Sequence, residues 1–305
     1  MSLHLVPRVL QYFEQVAHLG SIQAASRELG ISASAIHRQI TMIEDMLGEL
    51  LFERDTKGMT LTQTGHLILE LARDWRLDNA RLWSVVQAHR GIEQGNIKIA
   101  ALDGMVNGFV PEMVCAIAAR YPRIHLSVET MSPDLAVKCV LNGDIDFAAV
   151  VNVAPDDNLR FHWAKDFPLG CIAAPTHPIA QQGSIRLAEF ISHPVVFQSP
   201  SLSIRKLLEA QHGWIFDRAV SSVVVNSIQL MKILVSSGQY VAVTSELDAG
   251  PELRTGRLAF VPISDEDIFK QKFAMISNKQ IPESQVVKEI IAIAVQILEQ
   301  HARSR

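Results

Sequence analysis

The sequence predicts two architectures in one chain: an all-α unit with one β-hairpin over roughly the first ninety residues, then an α/β unit. Three observations predict them. The apolar period is helical almost throughout the first stretch. From Ile97 onward, short β-type runs alternate with helical periods. Between the two, Arg90-Gly-Ile-Glu-Gln-Gly-Asn96 has two glycines and no apolar period, which marks a hinge. At 305 residues, 48% hydrophobic and 20% charged, the chain has the apolar material for large cores, which excludes a disordered, collagen-like or disulfide-scaffold protein.

Along the first unit, Val9, Tyr12, Phe13, Val16 and Ala17 share one helical face, and Gly20 ends that helix. Ser21 can cap a second short helix, Ile22–Leu29, by accepting a backbone N–H. Gly30 ends it, Ser32 caps a third helix running to about Leu47, and Gly48 stops that one. Its inner face is Ala35, Ile36, Ile40, Ile43 and Leu47; its outer face is Ser34, His37, Arg38 and Thr41. Two short helices around a Gly-containing turn fit a helix-turn-helix or a plain three-helix cluster. The next segment favours the former. Leu51 and Phe52 can pack beneath the helices, Glu53 to Gly58 is a polar turn, and Met59 to Thr62 alternates like a strand. This has the look of a wing, whose Arg54 and Lys57 can reach a phosphate or a minor groove. Thr62 and Thr64 can then cap a long helix, about Gln63–His89. Its stripe is Ile68, Leu71, Trp75, Leu82 and Val86, with Ala72 and Val85 beside it and Asp78 and Asn79 interrupting it. Such a stripe buries itself against a partner or within its own chain.

The run Tyr-Phe-Glu-Gln-Val-Ala-His-Leu-Gly-Ser-Ile-Gln-Ala-Ala-Ser-Arg-Glu-Leu-Gly-Ile-Ser-Ala-Ser-Ala-Ile-His-Arg-Gln-Ile from Tyr12 to Ile40 resembles the winged helix-turn-helix of LysR-type transcriptional regulators. Ile43-Glu44, Leu47-Gly48, Leu51-Phe52-Glu-Arg54 and Leu61-Thr-Gln-Thr-Gly65 follow in the family's order. Ile22 stands where the family usually has Phe, Ala33 where it often has Gln, and His37 where it often has Ser; the last two put the preferred base sequence in question. From about Gly95 the chain is more loosely similar to the family's effector domain. The resemblance implies a winged helix-turn-helix over 1–62, a dimerising linker helix over 63–90, a hinge at 91–95, and a periplasmic-binding-protein-like domain over 96–305. That domain would divide into one subdomain of 96–165 with 268–305 and another of 166–267. It further implies a cytoplasmic homodimer or tetramer joined through antiparallel linker helices, an interrupted inverted repeat in double-stranded DNA, a small-molecule effector, and recruitment of RNA polymerase.

Residues 1–90 carry nine basic and ten acidic side chains. Non-specific affinity for DNA comes mainly from neutralised phosphates, so this unit must rely on a few well-placed groups doubled by dimerisation. The DNA-facing candidates are Ser21, Ala33, Ser34, His37, Arg38, Thr41, Arg54 and Lys57. Arg38 can pair bidentately with guanine or hold a phosphate, unless Glu44 or Asp45 engages it in an exposed ion pair. His37 can serve a base edge or be an ordinary surface side chain. Ser34 and Thr41 can position phosphates, and Ala33 lacks the amide that would read adenine.

In the second unit, Ile97–Leu102, a helix over about Val106–Arg120, Ile124–Val128, a helix over Pro133–Leu141 and Ile145–Val151 make β-α-β-α-β, the mark of a parallel sheet covered by helices. Further strands are expected at Leu169–Ala174, Val195–Gln198, Val223–Val225, Tyr240–Thr244, Leu258–Pro262 and Lys272–Ser277, with a closing helix over Pro282–His301. One sheet of nine strands would satisfy this pattern; the resemblance favours two smaller subdomains. Ligands of such sheets bind beyond the strand C-termini, where helix N-termini offer free N–H groups. The effector-binding candidates are therefore Asp103 and Gly104; Thr130, Met131 and Ser132; Gln198, Ser199 and Ser201; Asn226 and Ser227; and Thr244. Each is alternatively a helix cap. Family members often carry a small hydroxyl residue at the position of Asp103, and a carboxylate there repels anions unless balanced, so a neutral or cationic effector is expected.

No nucleophile elbow, zinc-protease helix, phosphate loop or dinucleotide fingerprint is present, and the eleven histidines are scattered, so neither catalysis, a metal nor a cofactor is expected. A transport-type binding protein would leave the first ninety residues unexplained and lacks a secretory signal at Met1 to Leu10. The longest apolar stretch, Met113–Ala119, is far short of the ~18 residues of a membrane span. Cys115, Cys139 and Cys171 are read as mostly buried thiols of a reducing compartment.

Overall fold

The computed structural model describes residues 7–55, 58–89, 95–266, 268 and 270–303. The chain separates into two compact units, Met1–Val86 and Gln87–Arg305. In the first, helices α1 (Arg8–Leu19), α2 (Ile22–Leu29) and α3 (Ala33–Leu47) precede strands β1 (Phe52–Asp55) and β2 (Gly58–Leu61) and the start of α4 (Gln63–His89). Ser21 and Ser32 accept the N–H groups of Ala24 and Ala35 at 3.3 and 3.4 Å, and Gly20 and Gly30 close α1 and α2 with positive φ. Phe13, Val16, Ala25, Ile36, Ile40, Ile43, Leu51 and Phe52 form the core beneath. Leu47, read from the sequence as inward-facing, is 47% exposed, because the last turn of α3 runs past the edge of this core.

The wing is tied down by backbone. Strands β1 and β2 pair antiparallel, Phe52 with Leu61 and Asp55 with Gly58, and the Met59 N–H donates to the Gly20 carbonyl at 2.9 Å. At the other end, Thr62 donates its N–H to the Leu51 carbonyl and its hydroxyl to the Leu50 carbonyl, and its Oγ1 accepts the Gly65 N–H at 2.9 Å. Thr62 is thus the cap of α4, whereas Thr64 bonds Glu49 instead. A Cβ on Gly65 would lie 2.2 Å from the Leu51 carbonyl oxygen, so the Leu-Thr-x-x-Gly motif is a close backbone crossing.

Helix α4 divides the stripe expected from its sequence. Ile68 and Ala72 pack against Val9 and Leu10 of the same chain, and Arg76 pairs with Glu14 at 2.9 Å. Leu71, Trp75 and Leu82 stay exposed, and Leu67 extends their row at helical spacing.

In the second unit the chain runs through β3 (Gly95–Ala101), a 3-10 turn (Asp103–Met105), α5 (Phe109–Arg120), β4 (Ile124–Thr130), α6 (Pro133–Leu141), β5 (Phe147–Val151) and β6 (Leu159–Phe167). It continues through β7 (Leu169–Ala173), α7 (Leu187–Phe190), β8 (Pro194–Gln198), α8 (Ser203–His212), α9 (Trp214–Arg218), β9 (Ser221–Val225) and α10 (Ile228–Ser236). The last elements are β10 (Ala242–Ser245), α11 (Glu246–Arg254), β11 (Ala259–Pro262), β12 (Gln271–Asn278) and α12 (Gln285–Arg303). One subdomain is a five-stranded sheet in the order β4-β3-β5-β12-β6. The other joins β9-β8 to β10-β7-β11 through a parallel bridge between Val195 and Val241. Strand directions match position by position: two parallel steps, then two antiparallel ones.

Alternate residues of each sheet enter different cores. Ile97, Ile99, Phe147, Met275 and Phe273 meet α5 and α12, while Ala100, Ala148, Val150 and Ile276 meet α6. The two sheets agree with the two smaller subdomains that the resemblance favours over one sheet of nine strands. Two expectations change here. Strand β6, unforeseen, lies at a sheet edge and alternates Leu159, Phe161, Trp163 and Phe167 with Arg160, His162 and Asp166, Lys165 alone breaking the apolar series. Of the three cysteines only Cys171 is buried, which pushes its thiol up to about 12, while Cys115 is exposed. Among the described residues no helix is long and apolar enough to cross a membrane.

Replacing Gly65 by Ala is expected to destabilise the N-terminal unit by about 2 kcal/mol or more, since backbone must move to admit the methyl. Urea unfolding followed by the near-ultraviolet signal of that unit checks this; an unchanged midpoint would contradict the crossing.

Candidate functional site

The outer face of α3 is a compact polar row opposite the buried isoleucines of its inner face. Ile36, Ile40 and Ile43 are buried, while Ser34, His37 and Arg38 are exposed and Thr41 is half-buried. His37 Nδ1 and Thr41 Oγ1 lie 3.5 Å apart, one turn from each other. Glu44 does not engage Arg38: its Oε1 accepts the Leu51 N–H at 2.8 Å and helps fix the entry to the wing. Arg38 has no ion pair among the described residues, so its guanidinium is available to an external anion. Ser34 donates to Ser32 Oγ at 3.3 Å, Ser21 is occupied as the cap of α2, and Ala33 is half-buried at the start of α3. The backbone of Arg54 lies in β1, opposite Met59, and Lys57 falls outside the described residues, as do residues 91–94 of the expected hinge.

The second unit brings together some of the effector candidates and disperses others. Asp103 Oδ2 accepts from Ser227 Oγ at 3.0 Å, from the Ile228 N–H at 2.6 Å and from the Gln229 N–H at 3.3 Å. Gln229 Nε2 donates back to the carbonyls of Asp103 and Gly104 at 3.0 and 3.4 Å. The carboxylate is therefore balanced by the N-terminus of α10, a partner inside the chain. A Cβ on Gly104 would come within 2.2 Å of Asp248 Oδ1, so Gly104 is there to let two subdomains touch.

Thr244 is fully buried and faces Asp248 at 3.4 Å, and Ser245 caps α11 while donating to Asp248 at 3.0 Å. Gln198 is also absorbed by structure: its Nε2 donates to the Val243 carbonyl at 2.6 Å across to β10. Ser132 caps α6, Met131 packs on the Ala100 core, and Thr130 and Asn226 are exposed. Ser199 and Ser201 bond each other at 2.7 Å just before α8. There, Lys206 reaches Asp134 at 3.2 Å across the cleft, and Gln271 Nε2 reaches Ser203 at 3.3 Å with its buried Oε1 left without a partner.

Sequence reasoning missed the buried charges behind this contact. Lys232, 2% exposed, donates to the Asp248 carbonyl at 2.9 Å and to Glu252 Oε2 at 3.0 Å, and Asn107 of the opposite subdomain donates to Glu252 Oε1 at 2.6 Å. Two residues so far apart on different helices carry no pattern that announces such a pair. A separate cavity of about 300 Å³ lies at the crossover, lined by Lys165, Phe167, Leu247, Leu253, Arg254 and His301 among others. Glu112 holds His301 at 2.7 Å and Arg254 at 3.6 Å beside it.

Burial pushes the Asp248 carboxyl up to about 6, against hydrogen bonds from Ser245 and Thr244 and the charge of Lys232, with Asp103 adding to the rise. The unfolded chain then ionises this group first as pH rises, so its contribution to stability falls between about pH 4 and about pH 6. Asp248→Asn is expected to remove this slope, its stability relative to wild type rising over that interval and levelling above it. Urea melts at stepped pH check this, and parallel pH profiles for the two proteins would refute it.

Comparison with known proteins places these features. A model described as the lysR-family bacterial regulatory helix-turn-helix protein matches residues 7–66, and the LysR substrate binding domain matches residues 90–298. The RuBisCO operon transcriptional regulator of Allochromatium vinosum is 26% identical over 265 residues, 86% of each chain. A probable nitrogen assimilation transcriptional activator of Synechococcus elongatus is 23% identical, covering 89% of each. Among solved structures, a full-length OxyR point variant from Pseudomonas aeruginosa superposes with a TM-score of 0.60 at 16% identity, over 97% of this chain and 95% of that one. Full-length CbnR complexed with its target DNA gives 0.54 at 20% identity, over 96% and 99%. With the substrate-binding model alone spanning well over half of its length, the chain belongs to the LysR family of transcriptional regulators.

Proposed function

We propose that the protein reads an interrupted inverted repeat in double-stranded DNA as a homodimer, through the outer face of α3 and the wing, under control of a small molecule bound between its two regulatory subdomains. The observation that carries this is Arg38: an exposed guanidinium without an ion pair among the described residues, in a row with Ser34, His37 and Thr41 on a helix whose Ile36, Ile40 and Ile43 are buried on the other side. Arg38 and His37 read base edges or phosphates, Ser34 and Thr41 position the backbone, and Arg54 and Lys57 supply the wing's charge. Ser21 contributes as the cap of α2, the helix that precedes α3.

Residues 1–62 are then the reading head, 63–90 the dimerising helix, 91–95 the hinge and 96–305 the sensor, split into 96–165 with 268–305 and 166–267. The exposed row Leu67, Leu71, Trp75 and Leu82 supports the dimer, since an apolar stripe of that length on a surface helix calls for a partner. Pairing of dimers into a tetramer, and contact with RNA polymerase, belong to the same reading. The effector sits beside Ser199, Ser201 and Gln271, where two hydroxyls and one unsatisfied amide oxygen lie close to the start of α8, with the exposed Thr130 a further candidate. Its binding changes the relation of the subdomains, and with it the spacing of the two reading heads.

Arg38→Ala is expected to weaken specific binding by ~1–3 kcal/mol with no change in thermal stability. A gel-shift titration on a fragment upstream of the gene checks this, and unchanged affinity removes Arg38 from the interface. Trp75→Glu is expected to shift the protein from dimer to monomer in sedimentation velocity; a variant that sediments like the wild type places the dimer elsewhere.

A further inference from the structure

The first N–H groups of a helix have no partner within it and must find one outside. In α10 the Leu230 N–H is taken by Ser227 Oγ, the helix's own cap, at 3.2 Å. The Ile228 and Gln229 N–H groups are taken by one atom, Asp103 Oδ2, which also accepts the Ser227 hydroxyl. That atom comes from the other subdomain, 124 residues before Ser227 in the chain. A carboxylate oxygen on two backbone N–H groups and a hydroxyl at a helix N-terminus is the arrangement by which proteins hold anionic ligands. Here the anion is part of the chain.

Three further contacts show that this end of the cleft is built to be shut. Gln229 returns two hydrogen bonds to the Asp103 and Gly104 carbonyls. Gly104 lacks a side chain where one would strike Asp248. Asn107 reaches Glu252, itself held by the buried Lys232.

We propose that Asp103 is a built-in anion for the N-terminus of α10, which clamps the two regulatory subdomains together without a ligand and closes that helix end to anionic effectors. This rests on the effector-controlled reading above and deepens it: the shut arrangement is the resting one, and the effector works by taking Asp103 away from α10 or by binding at the Ser199–Ser201 side while the clamp holds. A free carboxylate does not displace Asp103, because the tethered group is already in place and the freed charge would face Asp248.

The test is hydrogen exchange at the Ile228 and Gln229 amides in the full chain, wild type against Asp103→Ala, in sodium chloride and in sodium acetate of equal ionic strength. Acetate is the removed side chain as a free anion. In chloride, Asp103→Ala should exchange both amides at least about tenfold faster, as expected for losing hydrogen bonds to a charged acceptor. Acetate should restore protection in that variant and change nothing in the wild type. Protection in Asp103→Ala equal to the wild type, or an acetate effect of the same size in both proteins, overturns the proposal. If Asp103→Ala does not fold, Asp103→Asn is read in chloride alone. Faster exchange at the two amides supports the clamp, and unchanged exchange overturns it. Neither arm involves DNA, so the clamp and the Arg38 interface fail or stand separately.

Discussion

Gln271–Asn278 enters the first regulatory subdomain from the second and lies between Phe147–Val151 and Leu159–Phe167, antiparallel to both. Its side chains are buried at almost every position, so it is an interior strand, and it fixes where the second subdomain ends. The chain leaves at Phe167–Leu169, with only Pro168 between two strands, and comes back through this one. Two such crossings let the subdomains touch or part as bodies while keeping strand C-termini facing each other, which is the geometry a ligand cleft requires. The contacts of Asp103, Asn107 and Gly104 are possible only because these passages hold α10 and α11 opposite the end of β3.

The N-terminal unit depends on a smaller constraint of the same kind. Leu51 supplies a buried side chain to the helical core and a backbone carbonyl to Thr62, and Gly65 passes directly over that carbonyl. One residue therefore joins core, wing and linker helix. Glu44, by accepting the Leu51 N–H, completes the arrangement and leaves Arg38 outside it.

Much of this was legible in the residues. Caps and stops at Ser21, Gly20, Ser32 and Gly30 are local chemistry, so four helix boundaries could be read within a residue or two. The β-α-β alternation after Ile97 is likewise a local period. Strand β6 was legible as well and was overlooked: Leu159, Phe161, Trp163 and Phe167 alternate with Arg160, His162 and Asp166, and only Lys165 interrupts the period. Leu47 was misread because period alone does not say where a core stops. The cleft shows the limit most sharply. Asp103, Ser227 and Thr244 were rightly placed at strand ends, but helix capping and subdomain contact compete for the same residues. Gln198 and Thr244 went to the sheet and to Asp248, and nothing near Asp103 in sequence foretold a partner in α10. Lys232 and Glu252, on two different helices, were invisible for the same reason.

The matching strand orders of the two sheets have a consequence for how the protein is made. The segment from Gly95 to Phe167 is a sheet with its middle missing, since β5 and β6 meet only through β12. The second sheet, by contrast, owns all of its strands in one continuous stretch once β11 has been added. During vectorial synthesis on a ribosome, the later-translated subdomain can therefore be completed first, while the earlier one waits with two unpaired strand edges until β12 emerges. Through that interval, set by translation speed, those edges are open to pairing with other strands.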